Sequence, residues 1–189
     1  MICFIEIVIF IRRCMMRKIK YDSKPIKYLM IMLFIIYILL LVWIVVFKLQ
    51  FSISELDYHR SINLIPFYYS NEVGFLFHLT EVIYNCLFFL PFGIYLKAIM
   101  NTGCSKQIVL FGVVFSIALE AVQYIFAIGA TDVTDVITNT CGVTVGILVY
   151  DFLLKALKKR NTVNMMIVIL SVVCLFIVGG IAYILITGN

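Results

Sequence analysis

Ser116 to Gly146 holds the chemistry of an otherwise apolar chain. This stretch, SIALEAVQYIFAIGATDVTDVITNTCGVTVG, carries the carboxylates Glu120, Asp132 and Asp135 and the amides Gln123 and Asn139. A charge at the centre of a membrane helix costs about 2.5–3.5 kcal/mol on insertion scales. Acids inside apolar helices therefore need partners, water or a function. Glu120, Asp132 and Asp135 could hold a divalent cation through oxygen ligands or serve as acid and base. No serine–histidine or cysteine–histidine arrangement stands beside them to make a nucleophile.

The setting is a membrane. Of 189 residues, 64% are hydrophobic and only 13% charged, with a mean hydropathy of +1.12. Soluble domains run nearer 45–50% apolar and about 25% charged. The net charge of +5 does not point to nucleic acid, because the basic residues fall in short clusters between apolar runs, as topology signals do. The cysteines, Cys3, Cys14, Cys86, Cys104, Cys141 and Cys174, form no CxxC pair and no zinc spacing with histidine. Those inside apolar segments read as small hydrophobes.

Five spans position the polar stretch. Met1 to Ile11 is too short to cross a bilayer, which needs about 20 residues, and is followed by Arg12, Arg13, Arg17, Lys18 and Lys20. Tyr28–Phe47 is the first span. Leu49–His78 is a long connection whose aromatic second half, NLIPFYYS, suits the headgroup region. Pro66 biases Ile65 away from helix. Leu79–Ile99, Gln107–Ile128, Asp132–Leu154 and Asn164–Ile186 are the later spans, with a tight turn expected at Gly129–Thr131. The fold class is all-α: a polytopic membrane helix bundle of about five transmembrane helices, with an interfacial or re-entrant segment between helices 1 and 2. Residues 1–27 form a basic cytoplasmic segment, 28–160 the membrane domain, and 161–189 an additional C-terminal helix. With the N-terminus inside, only Lys48 and Arg60 of the chain's Lys and Arg residues fall outside, and the C-terminus is extracellular.

On this topology the polar groups share the outer half of the bilayer. At 1.5 Å per residue, Glu120 lies about 12 Å before the end of its helix, Asn139 about 10 Å below Asp132, and Asn85 about 9 Å below Leu79. Glu81, Asp132 and Asp135 are expected above them, near the rim. Gly112, Ser116 and Glu120 share a helix face that Gln123 continues, and Asp132, Asp135, Asn139, Gly142 and Gly146 share another. Glu120 is expected to face Asn139 and Asn85 across a polar pocket. Each feature also has a structural reading. Asp132 and Asp135 suit N-cap and N3 positions. Asn85 and Asn139 suit bonds between helices, and Gly142-x-x-x-Gly146 suits close helix packing.

Three blocks together resemble the VanZ-like family of bacterial membrane proteins: Asn63-Leu64-Ile65-Pro66-Phe67; Asn85-x-x-x-Phe89-x-Pro91-Phe92-Gly93; and Ser116-x-x-x-Glu120-x-x-Gln123 with Gly129, Asp132, Asp135, Asn139, Thr140, Gly142 and Gly146. Ala130 and Thr131 stand where the family pattern carries an arginine after that glycine, so no role of the arginine transfers. The resemblance implies a cell-membrane protein of the type that confers low-level resistance to teicoplanin, a lipoglycopeptide. It leaves the reaction, if any, and any cofactor unspecified. Membrane lipids, and lipid-linked cell-wall precursor or the lipoglycopeptide itself, are the implied partners. Glu120, Gln123, Asp132, Asp135, Asn139, Asn85, Glu81 and Asn63 are the expected ligand-binding residues, with Gly112, Ser116, Gly142 and Gly146 packing the helices. An intramembrane enzyme on a lipid-linked substrate and a proton-coupled carrier using Glu120 are the alternatives.

Overall fold

A computed structural model describes residues 24–47, 59–68, 75–100 and 104–187. The basic head through Ser23 and the start of the first connection lie outside them. The elements in chain order are α1 (Lys24–Phe47), β1 (His59–Asn63), α2 (Phe75–Met100), α3 (Ser105–Phe126), β2 (Ile128–Asp132), α4 (Val133–Leu157) and α5 (Arg160–Thr187). Among the described residues, five helices are long and apolar enough to cross a membrane. The chain is an all-α, multi-pass membrane protein. The expected outline is adjusted at several points: α1 begins at Lys24 rather than Tyr28 and α5 at Arg160 rather than Asn164. α2 begins at Phe75 rather than Leu79, and the connection at Gly129–Thr131 is no tight turn but a strand. β2 pairs in parallel with β1, with His59 opposite Ile128 and Asn63 opposite Asp132.

The chain divides into two units, Tyr37–Tyr150 and the remainder, Met1–Ile36 with Asp151–Asn189. In the second, Met30, Leu33, Val163, Ile167 and Val168 are buried with Asn164. α4 ends at Leu157, Lys158 takes a left-handed φ of 55°, and its N–H closes the last turn on Leu154 O at 2.9 Å.

The first unit contains the polar residues. Its apolar layer is aromatic: Phe92 stacks on Phe111 and Phe115, with centroids 6.0 and 5.1 Å away, and Phe89 lies 6.2 Å from Phe115. α2 and α4 approach backbone to backbone. A Cβ on Gly142 would fall 2.2 Å from Cys86 O, one on Gly146 2.1 Å from Leu90 O, and one on Gly93 2.1 Å from Val143 O. No side chain fits at such a crossing, so small residues set the interhelical distance. Pro91 lies inside α2 and interrupts its ladder. Tyr37 Oη donates to Phe88 O at 2.5 Å. The hydroxyl thus serves a carbonyl of α2 in the turn before the proline.

Candidate functional site

The polar groups gather because α3 is reversed abruptly. Ala127 caps α3 with φ 57° and ψ 36°, donating its N–H to Gln123 O and Tyr124 O. β2 then runs back along α3: Thr131 Oγ1 donates to Glu120 O at 3.3 Å, and the Asp132 N–H donates to Glu120 Oε2 at 3.1 Å. Glu120 lies nearly two turns, about 9 Å, before Phe126. The strand therefore returns the chain to the depth of Glu120 before α4 begins.

This corrects the expected depths. Asp132 is level with the Glu120 carboxylate and does not lie above it. Asn139 is correspondingly lower, and its Nδ2 donates to Ser116 Oγ at 2.9 Å, one turn below Glu120. The expected single cluster of Glu120, Asn139 and Asn85 is resolved into paired contacts at successive levels.

Asp132 is the hub of the upper level. It precedes α4, and Oδ1 accepts the Thr134 N–H at 2.7 Å, the geometry of an N-cap. Oδ2 accepts Asn63 Nδ2 at 3.1 Å, while Asn63 Oδ1 accepts the Ile65 N–H at 3.1 Å. Thr134 Oγ1 in turn accepts the Phe67 N–H at 3.0 Å. Asp135, at N3, accepts Asn85 Nδ2 at 2.7 Å. Gln123 Nε2 donates to Val45 O at 2.9 Å, near the end of α1. Glu81 stands apart from these contacts: its exposed carboxylate lies 3.3 Å from His78 Nδ1 on the surface of α2.

Glu120, Gln123, Ser116 and Asn139 are buried, Asn139 to 1% exposure. Asn63, Asn85, Asp132 and Asp135 are half-buried. Gly112 abuts the Val143 side chain. Each of the three acids proposed as cation ligands faces an amide or backbone N–H, which competes with a cation for its oxygens. Among the described residues, no group of three His, Cys, Asp or Glu side chains is placed to hold a metal ion. Two buried acceptors, Gln123 Oε1 and Asn139 Oδ1, have no donor among the described residues. Sequence reasoning missed Thr134, although Asp-x-Thr at a helix start is a recognisable capping pattern. It also missed Tyr37, one of many aromatics in an apolar span.

The fold and site define a polytopic helical membrane protein whose polar residues are held at one end of the bundle by a short parallel strand pair. The chain belongs to the VanZ/LLP1 family, whose sequence model matches residues 34–155. It is 40% identical over 146 residues to Protein VanZ of Enterococcus faecium, covering 75% of this chain and 87% of that protein. No solved structure matches the chain.

Proposed function

We propose that this protein lowers the susceptibility of the cell envelope to teicoplanin-type glycopeptides. It acts from the outer half of the membrane by binding and not by catalysis. The observation that carries this reading is the 40% identity to Protein VanZ. The arrangement of the site supports it. Partly exposed Asp132 lies level with buried Glu120 and Asp135 follows it in the first turn of α4, and the buried oxygens of Gln123 and Asn139, which have no donor among the described residues, offer acceptors to a donor-bearing ligand. The distribution of Lys and Arg supports an N-terminus inside and a C-terminus outside, which turns this end of the bundle toward the antibiotic and its precursor target. Membrane lipid, lipid-linked precursor and the lipoglycopeptide are its partners on this reading.

Expression in a susceptible Gram-positive host should raise tolerance to teicoplanin more than to vancomycin. Teicoplanin carries an acyl chain that partitions into the membrane, and a bundle can meet a drug held in its own leaflet. Glu120→Gln keeps an oxygen to accept the Asp132 N–H and removes only the charge. It should abolish the tolerance at unchanged membrane expression. Equal tolerance with and without the protein would overturn the proposal.

A further inference from the structure

Between β1 and α2 the chain makes a turn of unusual composition. From Ser61 to Asn71 there is no charged residue. Ile62, Leu64, Ile65, Phe67 and Tyr68 all leave large apolar side chains exposed, Leu64 to 74%. In water such a patch would be an aggregation liability.

The backbone of this turn is as unusual as its surface. From Ile65 to Tyr68 no N–H is left for water. Ile65 donates to Asn63 Oδ1, Pro66 has no N–H, Phe67 donates to Thr134 Oγ1, and Tyr68 donates to Ile65 O at 3.3 Å. Phe67 takes a left-handed φ of 55°, a conformation costing about 1–2 kcal/mol in an L-residue. In a bilayer, irregular backbone is held by such bonds within the protein.

Depth points the same way. The turn is tied to Thr134, just beyond Asp132, and Asp132 is bonded to Glu120, about 9 Å inside the end of α3. Ser105–Phe126 is long and apolar enough to cross a membrane, and a bilayer spanned by that helix takes in the depth of the turn. Tyr124, Ile125 and Phe126 at the end of α3, and Ile137 in the first turns of α4, likewise leave large apolar side chains exposed.

We infer that the Leu64–Tyr68 turn is a re-entrant element embedded among phospholipid acyl chains, clamped to α4 by the Asn63–Asp132 and Phe67–Thr134 hydrogen bonds. This goes beyond the proposed function, and its test reads fluorescence, independently of drug tolerance. The test replaces the lone Trp43 by Phe and introduces Leu64→Trp or Tyr68→Trp, both at exposed positions, in protein reconstituted into phosphatidylcholine vesicles. Each new tryptophan should emit with a blue shift, lose intensity to lipids brominated on the acyl chain, and be shielded from aqueous acrylamide. Adding Thr134→Val should shift emission to the red and raise acrylamide quenching by releasing the clamp. Quenching by acrylamide alone would place the turn in water. Quenching by neither agent would place it under protein, as in contact between two copies. Either result overturns the inference, provided the helical circular dichroism matches that of the parent.

Discussion

Asp132 makes three hydrogen bonds: its N–H donates to the Glu120 carboxylate, and its two carboxylate oxygens accept from the Thr134 N–H and the Asn63 amide. The Asn63 contact has a direction that a substitution can reverse. Asp132→Asn keeps the cap, since asparagine caps helices as well as aspartate, but sets amide against amide across the strand pair. We expect a loss of about 1–2 kcal/mol. Asn63→Asp alone should be worse, because two carboxylates then face each other. The double swap should recover most of the loss, because the carboxylate moved to the β1 side can still accept the Ile65 N–H. Thermal unfolding of the four proteins in one detergent closes this cycle; no recovery in the double variant would show that the contact does not hold the strands together. The sequence marks Glu120, Asp132 and Asn63 as unusual because polar groups stand out in an apolar chain. It does not reveal their pairing: Asn63 and Asp132 are 69 residues apart, and side-chain bonds at that distance leave no periodic trace.

At the scale of elements, the helices are legible from hydropathy and length alone, while the strands are not. HRSIN and IGATD neither alternate nor carry β-branched runs, so nothing local distinguishes them from loops. Missing β2 also misplaced the start of α4 in depth, which is why Asn139 was expected beside Glu120 and is found beside Ser116. The glycines, by contrast, could be read for packing because Gly142-x-x-x-Gly146 has the spacing of a helix contact face. Gly146→Ala puts a methyl group against Leu90 O, where backbone and not a flexible side chain must move. We expect a loss of about 1–3 kcal/mol by overpacking, read as a lowered melting temperature. Gly179→Ala, with open space around it, serves as the matched control and should leave the melting temperature unchanged or slightly raised, since alanine favours helix over glycine. Equal effects of the two would remove the close-crossing argument.

At the scale of the whole molecule, the orientation rests on charge. Single cysteines in a cysteine-free background, probed with a membrane-impermeant maleimide on intact cells, should label at Ser70 and stay protected at Ser105 and Lys159 until the cells are opened. The reverse pattern would turn the polar end toward the cytoplasm and remove it from the antibiotic. Composition suffices to establish membrane class and the number of spans, because each helix must satisfy its own backbone in lipid. Composition cannot show that the chain folds back into the bundle between α3 and α4, because that return depends on a single left-handed residue, Ala127.

The parallel pairing of β1 with β2 also sets an order of events during synthesis. β1 is made before α2 and α3, yet its partner follows both. At roughly 5–20 residues per second, the 69 residues from Asn63 to Asp132 take roughly 3–14 s to emerge. Throughout that interval the first strand has no ladder, and its apolar turn has no clamp. For a turn embedded as inferred above, the insertion machinery, or the lipid itself, must shelter a segment that no hydropathy rule marks as a span. The nascent chain is thus most vulnerable after its first helix is in place and before its fourth begins.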